Sequence, residues 1–402
     1  MVIIILWWFL SGSETPHPHI DNNYPGYKNC LAKNKIAFLK THKCASSSLQ
    51  NILLRYGLKN SLNFVLPSAG NYLGRYVKYQ RFMIANTPWE RAGMDYQIFC
   101  LHTIWNYKEV NRTLGSDTTY ITIIRDPVEL FESLWVYAGM ENYYHTDLET
   151  FAISPKTGIF ANRAFKNLGR NQMLWDSGLS SKDMDNFTAV TNKIEEIGEV
   201  FDLVLMAERF DESMILLKNK LCWDYQDVVN FKLNARKESR KTDLSPKARA
   251  ALKEYLSADY LLYDHFKAQF EKQVDKFGLQ RLSHEVSILR HASDHMRSKC
   301  DLRKADNDAI VGNNRLHGQG MVAYTADDSA DPQCQLFSIS EINFLDKLRD
   351  VQTERARKLT ENMNLDLESV DEYQLRQSMK QLPFNMAGLP DIEKMKSLYI
   401  HN

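Results

Sequence analysis

Lys35-Ile36-Ala37-Phe38-Leu39-Lys40-Thr41-His42-Lys43-Cys44-Ala45-Ser46-Ser47-Ser48-Leu49 decides the fold. Its first part is a short apolar run that suits a buried strand. A polar loop follows, and apolar residues then recur at Leu49, Ile52, Leu53 and Tyr56, one face of a helix. Ser46 or Ser47 is placed to cap that helix, and Gly57 to end it. A polar loop between a strand and a helix N-terminus is an anion site, because free backbone N–H groups and the helix dipole point the same way. Here Lys40 and Lys43 add positive charge, and Thr41, Ser46, Ser47 and Ser48 add hydroxyl donors. The bland alternative is a basic surface loop with a serine cap. A triphosphate loop of the form GxxxxGK[ST] needs glycines so that backbone can wrap the phosphates. No glycine lies between Lys35 and Arg55, which disfavours a nucleotide-dependent kinase.

A second junction of the same kind lies downstream. Residues 120–124 form a β-branched strand that runs into Arg125, Asp126, Pro127, Val128 and Glu129. Asp126 reads as an N-cap, Pro127 as the first helical residue and Glu129 as the partner of a capping box. The helix continues through Phe131, Leu134, Trp135 and Tyr137 to about Gly139. Arg125 leaves the end of a central strand, where α/β sheets place their ligands. Ser133 lies on the Asp126 side of the helix. Arginine and a hydroxyl can clamp a phosphate between them, and two such sites in one sheet suggest a ligand with two separated phosphates. Further strands are predicted over 97–101, ending at His102, and over 201–206. Helices are predicted over 211–221, 245–255 and 258–276. Alternating strands and helices give an α/β fold: a parallel sheet flanked by helices.

The bulk properties fit this scheme. Lys+Arg and Asp+Glu both number 50, so no global field attracts nucleic acid and any anion site is local. None of the six cysteines forms a CxxC pair, no metal-ligand cluster stands out, and Cys300 with Cys334 is the favoured disulfide. Two glycosylation sequons begin at Asn111 and Asn186. The chain divides into a leader and stem over 1–34, an α/β core over 35–278 and a C-terminal extension packed on the core over 279–402. The apolar run 2–10 is shorter than the roughly 20 residues that a membrane span requires and has no basic flank. It reads as a poor signal peptide, the remnant of a signal anchor or a stray leader.

The residues Phe38 to Ser48 resemble the 5′-phosphosulfate loop of the galactose 3-O-sulfotransferases, and Ile124 to Ser133 resemble their 3′-phosphate motif. Residues 201–213, 221–224 and 231–236 are similar to further segments of that family, so the resemblance spans about 35–345. It implies a P-loop-like sulfotransferase fold using 3′-phosphoadenosine 5′-phosphosulfate without a metal. It also implies a galactose-terminated glycolipid or glycan acceptor sulfated at the 3-hydroxyl. The resemblance further implies a single-pass type II anchor in the Golgi membrane with the catalytic domain lumenal, and leaves room for a homodimer. Cys44 replaces a threonine of the family pattern, and Leu101-His102-Thr103 has one histidine where a pair is common. The runner-up is a sulfotransferase for another glycan or hydroxyl, and a third reading is a glycan-binding relative without turnover.

Sulfuryl transfer is an in-line displacement at sulfur. It needs a base for the acceptor hydroxyl, positive charge at the leaving oxygen and tight orientation. Lys43 is assigned to the leaving oxygen and 5′-phosphate, with Lys40, Thr41, Ser46, Ser47 and Ser48 completing the cradle. Arg125 and Ser133 are assigned to the 3′-phosphate, and Arg236 to a further donor contact. His102, at a predicted strand end, is the first candidate for the base, and His42 beside Lys43 is its rival.

Overall fold

Strand β1, Ile36–Leu39, is completely lined by buried residues and occupies an inner position of a four-stranded parallel sheet. The computed structural model describes residues 30–85, 95–153, 168–231, 235–236, 243–306, 321–326 and 331–362. The sheet order is β2-β1-β3-β4, with β2 at Ile98–Phe99, β3 at Thr119–Ile124 and β4 at Leu203–Met206. Register pairs Phe38 with Ile121, and Ile121 in turn with Leu203. All strands are parallel, so each chain crossing returns over a face of the sheet through a helix. This is the predicted α/β architecture, and it explains why the strands read as continuous apolar runs rather than alternating ones.

The first strand-to-helix unit departs from the sequence reading at both ends of its helix. Helix α1 spans Ser46–Lys59, and its N-cap is Ala45 in the left-handed conformation, with no side-chain cap. Ser46 is the first helical residue, and its hydroxyl donates to the Thr41 carbonyl at 2.6 Å. The serine therefore closes the loop instead of capping the helix. Gly57 lies inside α1 rather than ending it. A Cβ there would meet Phe64 Cζ at 2.3 Å and Ile98 Cδ1 at 2.6 Å. The glycine is needed for close packing of helix on sheet, an overpacking constraint and not a stop signal.

Helix α2, Tyr107–Leu114, precedes β3, and α3, Pro127–Tyr137, follows it. Asp126 caps α3 as expected, accepting from the Val128 and Glu129 amides at 3.0 and 3.1 Å. Glu129 pairs instead with Arg249 at 2.9 Å, so no capping box forms. Next come α4 at Gln172–Asp176, α5 at Phe187–Val200 and α6 at Phe210–Leu221. Helices α7 at Pro246–Tyr255, α8 at Ser257–Phe277 and α9 at Leu279–Lys299 complete the helical layers.

Beyond α9 a small antiparallel sheet, ordered β5-β7-β6, joins Ala235–Arg236, Met321–Thr325 and Arg303–Asp306. It packs with a second apolar cluster of Val229, Phe231, Leu302, Tyr324 and Phe337 around the Cys300–Cys334 disulfide. The favoured disulfide is therefore present. Helix α10, Glu341–Asn362, returns to the main core through Phe344, Leu345 and Leu348. Gln352 of α10 accepts from the Phe64 amide at 2.9 Å and donates to its carbonyl at 3.1 Å. Residues Lys33–Asn402 form one unit, of which this extension is part. The apolar run 2–10 and the stem up to residue 29 lie outside the described residues. No helix among the described residues is long and apolar enough to cross a membrane.

Candidate active site

The loop after β1 turns without glycine by holding Lys43 at φ 59° and Ala45 at φ 58°. Left-handed backbone at non-glycine residues costs roughly 1–2 kcal/mol each, and such strain gathers at functional sites. Several side chains hold the turn in place. The Thr41 hydroxyl donates to the Ile123 carbonyl of β3, and the Thr122 hydroxyl donates back to Leu39 at 3.0 Å. The Ser48 hydroxyl donates to the Phe231 carbonyl at 3.3 Å, and the Cys44 thiol to the His42 carbonyl at 3.3 Å. Ser47 is half-buried. With no side-chain cap, the start of α1 offers its backbone amides to a ligand.

Lys43 is half-buried, with its ammonium 4.1 Å from the centre of the Tyr137 ring on α3. Its carbonyl accepts from Arg125 Nη1 at 3.1 Å. That bond joins the two strand-to-helix junctions directly, because Arg125 leaves β3 and Lys43 lies in the loop after its neighbour β1. Arg125 also lies 4.0 Å from Glu129, and its side chain is 25% exposed, so its guanidinium is open to a ligand. Ser133 is buried on the same helix as Tyr137. Beside this junction a cavity of ≈ 340 Å³ is lined by Asp126, Glu129, Arg249, Lys253 and Tyr260. The backbone of Arg236 lies in β5, and its side chain lies outside the described residues.

Lys40 has a different place from Lys43. It has no exposed surface, and its ammonium donates to Gln50 Oε1 at 2.7 Å and Glu341 Oε1 at 2.6 Å. Burial pushes Lys40 down from the usual lysine range, opposed by Glu341. Burial alone would raise the Glu341 carboxyl, yet Lys40, Asn71 and Gln50 together hold it below its ordinary value. The ion pair ties α10 to the first residue of the loop. Glu341→Gln should lower unfolding stability by about 2 kcal/mol, since it removes a partner from a buried charge while keeping the shape. Denaturant melts of the variant and the parent measure this directly.

Both candidate base residues lie in one ring stack. His42 and His102 are stacked with centroids 4.3 Å apart, and Tyr72 packs beside both, 5.0 Å from His102 and 6.1 Å from His42. A parallel bridge between Tyr72 and His102 brings the loop around residue 72 against the end of β2. His42 Nδ1 lies 2.9 and 3.0 Å from the two carboxylate oxygens of Asp176, and His42 Nε2 lies 3.0 Å from the Tyr72 hydroxyl. The His42 amide also donates to Asp176, at 2.7 Å. By contrast, His102 Nδ1 is buried with no hydrogen-bond partner. Burial pushes His102 well below the usual imidazole range, and the charges of Lys40, His42 and Arg75 act in the same direction. Burial also pushes the Tyr72 hydroxyl up to about 12.

Asp176 is held by its own support. Gln172 Nε2 donates to it at 2.8 Å, and Asp259 of α8 accepts from the Met173 and Leu174 amides at 3.0 Å, fixing the start of α4. Asp176, Tyr72 and Glu341 were absent from the sequence reading, which had Tyr137 only as an apolar position of the second helix. Each comes from a segment distant in the chain, with no local motif to mark it.

Two cation-bearing strand-to-helix junctions on adjacent parallel strands give this α/β protein the arrangement of an anion site, with a first loop that lacks glycine. The chain belongs to the galactose-3-O-sulfotransferase family, whose family model matches residues 5–331. It is 36% identical over 277 residues to galactosylceramide sulfotransferase of Homo sapiens, a match covering 67% of this chain and 65% of that protein. The Mus musculus protein of the same name is 33% identical over 340 residues, or 79% of each chain. Galactose-3-O-sulfotransferase 2 of Mus musculus is 33% identical over 279 residues, 66% of this chain and 69% of that one. The match thus spans slightly less than two thirds of the human relative. No group of three or more His, Cys, Asp or Glu side chains that could hold a metal ion occurs among the described residues.

Proposed function

We propose that this chain transfers the sulfuryl group of 3′-phosphoadenosine 5′-phosphosulfate to the 3-hydroxyl of a terminal galactose in a glycolipid or glycoprotein. The observation that carries the reading is the 3.1 Å bond from Arg125 to the Lys43 carbonyl. It sets two cationic junctions side by side, and the donor's two phosphates hang from the 3′ and 5′ positions of one ribose. The family relationship supports the donor and the galactose acceptor.

In this scheme Lys43 and the start of α1 hold the 5′-phosphate and stabilise the charge that grows on the leaving oxygen. Ser47 supplies a hydroxyl there. Ser46, whose hydroxyl donates to the Thr41 carbonyl, contributes its backbone amide, whereas Ser48, whose hydroxyl donates to Phe231 and whose amide donates to Ala45 at 3.1 Å, braces the loop. Thr41 and Lys40 support the loop from behind. Arg125 and Ser133 hold the 3′-phosphate, and Arg236 remains a proposed donor contact. His102, at the end of β2, takes the proton of the acceptor hydroxyl, because burial keeps its ring neutral. The S–O bond to the phosphate breaks as the bond to the acceptor oxygen forms, and the nucleotide leaves as adenosine 3′,5′-bisphosphate.

On the same family ground we assign the chain to the Golgi membrane, held by an N-terminal type II anchor with the catalytic unit lumenal and self-association as a homodimer. The experiment is sulfate transfer from labelled donor to a panel of galactosyl lipids and galactose-terminated oligosaccharides, with linkage analysis. A 3-O-sulfated galactose is expected. Sulfate at another hydroxyl would support the runner-up, and ATP binding in place of the phosphosulfate nucleotide would overturn the reading.

A further inference from the structure

Tyr137 is the last residue of α3 and is 41% exposed, whereas Phe131 and Trp135 of the same helix are 1% and 3% exposed. A single exposed ring says little by itself, but the position of this one says more. The Lys43 ammonium lies 4.1 Å from the ring centre. Lys43, assigned to the donor's leaving oxygen, directly follows His42 in the chain, and His42 stacks on His102 at 4.3 Å. Tyr72 lies 3.0 Å from His42 Nε2 through its hydroxyl and packs 5.0 Å from His102, and the exposed Arg75 lies 4.5 Å from the Tyr72 ring centre. Burial pushes the Tyr72 hydroxyl up, Arg75 opposes this and Tyr137 adds to it, so the two tyrosines are neighbours. An exposed ring therefore borders both the cation that serves the donor and the ring stack that serves the acceptor.

The acceptor must bring its 3-hydroxyl to that border, and galactose is suited to a ring there. Its axial 4-hydroxyl lies on one side of the sugar, so the hydrogens on C3, C4 and C5 form an apolar patch on the other. The face of an aromatic ring carries negative potential and takes such a patch by stacking. The 3-hydroxyl is equatorial, so stacking leaves it projecting from the edge of the sugar, open to deprotonation and in-line attack. We propose that Tyr137 is the platform on which the terminal galactose lies, with the C3–C4–C5 patch on the ring and the 3-hydroxyl directed between Lys43 and His102. The inference rests on the galactose reading of the site and names the residue that recognises the sugar. It makes Tyr137 a substrate-binding residue that acts on the acceptor. The rival role, a prop that only holds Lys43, places the effect on the donor instead.

Tyr137→Ala and Tyr137→Phe in the full chain separate the two roles, and because Tyr137 is exposed both variants keep the packed core. With a galactosyl acceptor, Tyr137→Ala should raise KM about tenfold, the loss of one ring contact, with kcat changing much less. The affinity for adenosine 3′,5′-bisphosphate should hold in the same variant. Tyr137→Phe keeps the ring face and should bring KM most of the way back. An unmoved KM in Tyr137→Ala would overturn the proposal, and so would a loss confined to donor affinity. A KM as high in Tyr137→Phe as in Tyr137→Ala would overturn it too, since a hydroxyl contact and not the ring face would then be responsible. Saturation-transfer NMR with methyl β-galactoside and adenosine 3′,5′-bisphosphate reads the contact without turnover. The protons on C3, C4 and C5 should receive the most magnetisation from the parent and lose it in Tyr137→Ala. A chain that sulfates no galactoside ends the sulfotransferase reading, while the NMR comparison still decides the platform: equal transfer from the parent and Tyr137→Ala, or none from either, contradicts it.

Discussion

Lys43→Ala lowers kcat by about 10³-fold and leaves the fold intact. A preorganised charge at a developing oxyanion is worth about 10²–10³ in kcat, and Lys43 would face the donor's negative charge in a partly dehydrated site. The contacts that hold the loop do not depend on this side chain. Arg125 binds the Lys43 carbonyl, Thr41 binds Ile123, and Ser46 binds Thr41. Alanine tolerates φ 59° no worse than lysine does, since both carry a Cβ. The melting temperature should therefore change by no more than about 2 °C, less than 1 kcal/mol for a chain of this size. Steady-state sulfate transfer and a thermal melt on the same preparation check both halves. Activity within tenfold of the parent would remove Lys43 from its role.

His102→Ala lowers kcat by about 10²-fold, the size of a lost general base. Donor binding should survive, because the phosphates are held by Lys43, the start of α1 and Arg125 rather than by the ring stack. The comparison with His42→Ala is the informative one. His42 has both ring nitrogens engaged, by Asp176 and Tyr72, whereas His102 keeps an unpaired nitrogen. If His42→Ala showed the loss and His102→Ala did not, the base would be His42. The pH profile has a definite sign. Because the His102 midpoint lies below the ordinary imidazole value, the neutral base persists to more acidic pH, and the acid limb of kcat/KM should fall below the range of a free histidine.

The parallel sheet was legible because its strands are buried on both faces and so appear as unbroken apolar runs, such as Ile36–Leu39. The two junctions were legible because strand, polar loop and amphipathic helix follow one another within about fifteen residues, a local pattern that needs no tertiary information. Pro127 after Asp126 marked the second helix start for the same reason. The functions of individual polar groups were less legible. Lys40 and Lys43 differ by three positions and carry the same charge, yet one is enclosed by Gln50 and Glu341 while the other lies over Tyr137. The difference comes from α10, some three hundred residues away in the chain, which brings Glu341 to the end of the inner strand β1. Gly57 looked like a helix stop because glycine often is one. Its actual constraint is the contact with Phe64 and Ile98, which only the packed structure reveals. Asp176 lies in a five-residue helix held by Asp259, and nothing in its neighbours signals that a histidine from the first loop would meet it.

The central claim is that one nucleotide bridges the two junctions, and a crystal grown with adenosine 3′,5′-bisphosphate tests it most directly. The account predicts the 5′-phosphate at the start of α1 within reach of Lys43, and the 3′-phosphate on Arg125 and Ser133. A nucleotide bound elsewhere, or one that leaves either junction without phosphate, would contradict it.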